Sequence, residues 1–354
     1  MILILIATAL ILAIAFFQAT QGFYGATIMA VLSALSAVLA FNYYEPLAAV
    51  LVPRLATAAD AVALLALFAI LLLVLRLAID FLLRPNAVMD VWVNRIGGGA
   101  MGLLAGMVLV GVAAVVVQML PWGPSILGYA PFDNSLQRSG KLYPFLPDDF
   151  VLGTINTLSR QSLDASPARP FQLSHDDLLL ELFCARNTAG KNGRIDAPAN
   201  ALSVGNAYVS EGAAWGSDVP ADPRLGPQVS KVIVIRVKVD QSAADKDKWW
   251  RLPATHFRLI SRTGRSYYPV GYMVRSPEGA VCVPAPTVEG NLQVTQLIVE
   301  RPVGAERSLA IDWAFRLLPD ETPSTLVFRR VSYASVPKPL LTFPNLTGGL
   351  GVAP

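Results

Sequence analysis

Val93–Gln118 reads VNRIGGGAMGLLAGMVLVGVAAVVVQ. After Arg95 no charged residue occurs until Asp133, and Ile96–Leu120 is long enough to cross a bilayer as one helix. Gly98, Gly102 and Gly106 recur every four residues and therefore share one strip of that helix, with Gly97, Gly99 and Gly111 nearby. In lipid a strip of small residues lets a second helix approach backbone to backbone, where dispersion and weak contacts replace the missing hydrophobic drive. The spacing predicts a helix-packing face at Gly98, Gly102 and Gly106.

Outward from this stretch the chain divides into unlike halves. Of its 354 residues 54% are hydrophobic and 15% charged, with a mean hydropathy of +0.50. Residues 1–120 contain four Arg (Arg54, Arg76, Arg84, Arg95), no Lys, and four acids (Glu45, Asp60, Asp80, Asp90). That leaves 24 of the 28 basic and 21 of the 25 acidic residues for 121–354, the balance of a soluble domain. The fold expected is an α-helical membrane domain of four transmembrane helices followed by a mainly β domain. A net charge of +3 and the lack of a basic block argue against nucleic acid as a partner.

The first 120 residues read as four spans. Ile2–Phe17 is apolar with no basic residue before it, which favours a retained helix over a signal peptide. Gln18, Gln21 and Gly22 make a short break, so Phe23–Phe41 returns as the second arm of an antiparallel hairpin. Asn42–Thr57, with Tyr43, Tyr44, Glu45, Pro46, Pro53 and Arg54, has the composition of an interface loop. Ala61–Leu83 is the third span, Arg84-Pro85 ends it, and Ala87–Val93 reads as a short interfacial helix. Arg76 and Asp80, four residues apart, fit one helical face near the end of that span. Arg76, Arg84, Trp92 and Arg95 are the expected membrane-interface anchors. Three of these arginines flank the third turn and only Arg54 marks the other side. The positive-inside rule then puts that turn in the cytoplasm, and both termini with the whole second half outside it.

On these residues the membrane half resembles the colicin V production protein (CvpA) family. The resemblance rests on four helices, a tight first hairpin, and an Arg95-Ile96-Gly97 turn opening a last helix with Gly98, Gly102 and Gly106. It covers about residues 1–120. The family usually has Asp-Arg before that helix and a basic residue among its glycines; this chain has Asn94-Arg95 and Ala105 there. What the resemblance implies is a multi-pass protein of the bacterial inner membrane, tied to envelope integrity or to export of a toxic peptide.

Residues 121–230 read as a tether, an amphipathic helix over Phe150–Leu163, and an irregular region with short strands over Ala165–Ser230. Pro121–Pro147 is rich in Pro, Gly and aromatic residues, and Asp148-Asp149 supplies the acids a helix start prefers. From Lys231 the pattern changes to short β-branched and aromatic runs: KVIVIRVKV, THFRLI, RSYYPV, AVCVP, LQVTQLIVE, SLAIDWAFRLL and TLVFRRV. Leu309, Ile311, Trp313 and Phe315 face one way while Asp312 and Arg316 face the other, the alternation of a half-buried antiparallel strand. Seven such runs predict a sandwich of the immunoglobulin class over 231–335, followed by a mobile Pro- and Gly-rich tail over 336–354.

The outer half has two histidines, His175 and His256, and no Gly-x-Ser-x-Gly stretch; Ser266 lies inside a strand-like run. A serine-protease triad is not expected. His175, Asp176, Asp177 and Glu181 are metal-ligand types without a second histidine cluster, and a solvated helix start is expected there. No catalytic residue, cofactor or metal site is assigned. Cys184 and Cys282 are the only cysteines. In an oxidising space they are a possible disulfide; otherwise they are two buried thiols. Two functions remain. One is a membrane scaffold or sensor whose outer sandwich engages another envelope protein. The other is a transport element in which the glycine helices form a homo-oligomer around a path. The expected partners are thus the lipid bilayer, an envelope protein and a possible second copy.

Overall fold

The computed structural model describes residues 2–82, 90–123, 125–132, 147–159, 171, 175, 177–186, 193–209, 219, 225, 230–276, 279–284, 298–304, 307–338 and 340–342. They form two units: residues 1–131 with 138–172, and residues 132–137 with 173–354.

Helices make the first unit. α1 (Ile2–Gln21) and α2 (Phe23–Leu55) are separated by Gly22 alone, at φ +95°, where a side chain would be strained. α2 continues to Leu55, so the interface loop expected over 42–57 is largely helical. Pro46 and Pro53 lie inside it. Each removes one ladder donor, but Phe41, Tyr44, Ala48 and Val52 form one buried stripe that runs past Pro46 up to Pro53, and that packing keeps the chain helical. At Ala56 (φ +47°) a 3-10 turn, Ala56–Ala58, leads into α3 (Ala59–Leu82), which packs along α2. α4 (Val91–Met119) packs along α1 and α2 and is the centre of the bundle. The expected separate interfacial helix is part of α4 from Val91 onward. Asp90 caps it, its Oδ1 accepting from the Trp92 N–H at 2.9 Å. Among the described residues three stretches are long and apolar enough to cross a membrane: Ile2–Gln21, Phe23–Leu82 (which holds α2 and α3) and Val91–Met119.

α5 (Pro147–Leu158), the helix expected over Phe150–Leu163, belongs to this unit. Pro147 at its first position and Asp148 and Asp149 in its first turn suit a helix N-terminus. Val151 and Ile155 are buried as it lies across α4 and α2.

The second unit is built on strands. α6 (Leu178–Arg186) precedes β1 (Leu202–Val209) and β2 (Lys231–Asp240). There follow β3 (Trp249–Pro253), β4 (Phe257–Ser261), β5 (Ser266–Tyr267), β6 (Gly271–Ser276) and β7 (Gly279–Pro284). β8 (Ile298–Pro302), β9 (Ser308–Leu317), β10 (Pro323–Phe328), β11 (Ser332–Ser335) and β12 (Leu341–Thr342) complete the set. They order as β12-β1-β2-β9-β6-β7, β11-β10-β4-β5 and β3-β8, antiparallel except for β1 with β12. Each of the seven runs read from the sequence holds one strand. β1 lies in the region expected to be irregular and β12 in the expected tail; residues 343–354 lie outside the described residues.

One core joins the six- and four-stranded sheets: Ile233, Ile235, Trp313 and Phe315 on one side, Phe257, Leu259, Leu326 and Phe328 on the other. Phe257 stacks on both Trp313 and Phe328, at ring distances of 4.9 and 4.8 Å. β9 is not half-buried as its alternation implies. Its second face is covered too, with Ala314 packed among Tyr208, Val232, Val234, Val270, Met273 and Cys282.

Candidate helix-packing site and buried polar groups

α4 meets α1 through its glycines. A Cβ at Gly98 would stand 3.0 Å from the Gln18 carbonyl oxygen. One at Gly102 would stand 2.5 Å from Gln18 Cβ and 3.0 Å from Ala15 Cα, and one at Gly106 would stand 3.2 Å from the Ile11 carbonyl oxygen. Ascending numbers on α4 meet descending numbers on α1, so the two helices run antiparallel with their backbones in contact. Asn94 is one further four-residue step on the same strip. Its Oδ1 accepts the Phe23 N–H at 2.7 Å, capping the first turn of α2 at the Gly22 hairpin. Gly111 is also occupied: a Cβ there would meet the Pro147 carbonyl and Val151 Cβ of α5.

Of the interface residues, Trp92 and Arg95 are exposed, Arg76 pairs with Asp80 (Nε–Oδ2 3.0 Å), and Arg84 lies outside the described residues. At the far end of α4 a polar group went unread in the sequence. Asp148 is buried and its Oδ2 accepts from Gln118 Nε2 at 2.9 Å and from the Tyr129 hydroxyl at 2.8 Å. The signal was the run of acids at a helix start, which reads as solvated unless a partner for it is known.

In the strand unit, His175 is not on a solvated helix start. Its Nδ1 lies 2.8 Å from Glu181 Oε2, and both side chains are withdrawn from solvent. Burial raises the Glu181 carboxyl, but the charges of His175 and Arg258 and hydrogen bonds from His175 and Tyr268 outweigh it and hold the group below its usual range. Asp177 caps α6 through the Leu180 N–H, and Asp176 lies outside the described residues. Ser266 Oγ accepts from Arg258 Nε at 2.7 Å. Among the described residues no group of three or more His, Cys, Asp or Glu is placed to hold a metal ion.

His256 and Arg329 form a second buried pair. Arg329 donates through Nε to His256 Nδ1 (3.1 Å), through Nη1 to the Asp196 and Ala243 carbonyls, and through Nη2 to that of Arg251. It thereby ties the Asp196 loop, the 3-10 turn Gln241–Ala243 and β3 to the residue that follows β10. Burial lowers the guanidinium to about 10, against the opposing pull of Asp245. The possible disulfide is corrected: Cys184 and Cys282 are buried and not bonded to each other. Cys184 stands on α6, while Cys282 packs on the second face of β9.

The geometry is that of an integral membrane protein: a close-packed apolar helix bundle in a chain that also carries a strand domain. Residues 2–146, which hold its helical part, match the family model described as Colicin V production protein, so this part of the chain is similar to that family. No curated protein and no solved structure matches the chain.

Proposed function

We propose that the chain is a four-span scaffold or sensor of the bacterial inner membrane, with an immunoglobulin-like sandwich outside the cytoplasm that binds another envelope protein. The observation that carries this reading is the use of Gly98, Gly102 and Gly106 within the chain. They seat α1 on α4, so the strip is consumed in building one rigid bundle. The alternative, a transport element made of associated glycine helices, needs that strip free for a second copy. Four spans follow if α2 and α3, joined at Ala56, each cross the bilayer, which at about 1.5 Å per residue both can do. The arginine distribution supports a cytoplasmic third turn. The role assigned is binding rather than catalysis.

The test is photo-cross-linking in intact cells from exposed positions of the strand unit, such as Tyr333 and Trp249. One discrete envelope-protein adduct is expected. Absence of any adduct, together with solute flux through the purified protein in vesicles, would turn the assignment to transport. A periplasm-active phosphatase fused after Gln137 is expected to be active and one after Asn86 inactive; the reverse pattern inverts the topology.

A further inference from the structure

Just past the end of α4 the chain makes a tight hairpin that places one apolar side chain, Leu127, outward. Ile126 and Tyr129 exchange both backbone hydrogen bonds (2.8 and 2.9 Å), and the two residues between them, Leu127 (φ +49°) and Gly128 (φ +75°), both have positive φ. That is the sign pattern of a type I′ turn, where Asn, Asp and Gly are the rule because a Cβ is disfavoured. Leu127 is nevertheless there, and 54% exposed. Trp122, three residues beyond α4, is 50% exposed. The hairpin itself is fixed. Tyr129 is buried and its hydroxyl donates to Asp148, which also holds Gln118 of α4. A strained backbone that displays a leucine to water gains nothing in water. The same leucine gains free energy in lipid, and the tryptophan beside it favours the headgroup level.

We propose that Trp122 and the Leu127 hairpin dip into the phospholipid leaflet bordering the C-terminal end of α4 and fix the depth at which that helix ends. The Asp148–Tyr129–Gln118 bonds hold it in register with the helix. The proposal rests on the reading that α4 crosses the bilayer. It adds a lipid contact made by a segment outside every span.

The test uses the full chain in vesicles of phosphatidylethanolamine and phosphatidylglycerol, with or without acyl-chain-brominated phosphatidylcholine. An environment-sensitive fluorophore is placed on Leu127→Cys and, separately, on Trp122→Cys. Leu104→Cys, on the exposed face of α4, and Lys246→Cys, exposed in the strand unit, are the lipid and water references. Mass spectrometry confirms that only the introduced thiol is labelled. At 127 and 122 the expected result is blue-shifted emission, quenching by bromolipid, and loss of quenching by aqueous iodide. Probes there that behave like Lys246, with Leu104 still quenched by bromolipid, overturn the proposal and leave the spanning reading intact. Failure of bromolipid to reach Leu104 as well overturns both.

Discussion

Asn94 Oδ1 accepts a 2.7 Å hydrogen bond from the Phe23 backbone N–H, across 71 positions of sequence. Phe23 is the first residue of α2, so its N–H has no partner within its own helix. Asn94 sits in the first turns of α4, and this one contact ties the α1–α2 hairpin to the central helix. Removing the acceptor in an apolar surrounding leaves that donor unsatisfied. Asn94→Leu is therefore expected to lower stability by ~1–2 kcal/mol, the cost of a lost N-cap. Asn94→Asp keeps an acceptor and adds a charge favoured at a helix N-terminus, so it is expected to match or exceed the parent. Thermal unfolding in detergent reads both; an unaffected Asn94→Leu removes the cap from the account.

The seam makes a prediction with two signs. Gly102→Ala puts a Cβ 2.5 Å from Gln18 Cβ and 3.0 Å from the Ala15 backbone, and is expected to cost ~1–3 kcal/mol, as overpacking does. Gly25→Ala in α2 meets nothing within 4 Å and should gain up to ~1 kcal/mol from helix propensity alone. Gly111 is unsuitable as a tolerant reference because α5 lies on it. Equal shifts at Gly102 and Gly25 would mean that α1 and α4 do not touch there.

The apolar helices and the glycine strip were legible because long uncharged runs and small residues at every fourth position have few other readings, although α2 runs on to Leu55, past the Phe41 expected. The helical passage through Pro46 and Pro53 was not, since proline reads as a breaker unless the stripe from Phe41 to Val52 is known to be packed. The strands were legible where β-branched residues cluster, as in KVIVIRVKV. β1, LSVGNAYV, falls among the short strands expected in the irregular region but was not located there, because its glycine and asparagine read as turn residues and its pairing with β2 is supplied by distant residues. Buried charge was the least legible feature. His175, Glu181 and Asp148 look like solvated residues in sequence, and only the partners Tyr268, Arg258, Gln118 and Tyr129 reveal otherwise.

Arg236 and Asp312 stand directly opposite each other on β2 and β9, joined by two bonds of 2.8 and 2.7 Å. Asp312 is buried, whereas the Arg236 side chain is 24% exposed. Asp312→Leu leaves a largely enclosed guanidinium without its carboxylate and is expected to cost about 3 kcal/mol, the lower end for a broken buried pair. Replacing both by Leu restores a consistent apolar surface, so the double variant is expected to be more stable than Asp312→Leu alone. Chemical denaturation of the three variants decides it. A double variant worse than the single would mean that the pair fixes the strand register beyond what packing provides.

Cys184 and Cys282 are expected to stay thiols. Titration of the unreduced, denatured chain should find two reactive thiols per molecule, and the native chain should react slowly at both because both are buried. No reactive thiol on unreduced denaturation would place a bridge where the structure has none.

The pH dependence of the strand unit should carry the mark of His256. Burial, and then the adjacent Arg329 charge, hold its imidazole well below the usual 6.5, so the folded chain keeps it neutral with Nδ1 accepting from Arg329. Below about pH 6.5 the unfolded chain takes up a proton at this residue that the folded chain refuses. Stability is therefore fully present above that value and falls as the pH drops, by up to ~1.4 kcal/mol per pH unit for one such group. Glu181, held below its usual range, acts in the same direction but only once the pH reaches the carboxylate range. His256→Asn retains an acceptor for Arg329 Nε and removes the titration. Between pH 7 and 5 its stability curve should be flatter than the parent's by as much as one proton. Parallel curves over that interval would mean that His256 is protonated in the folded chain and that Arg329 is held by its carbonyl partners alone.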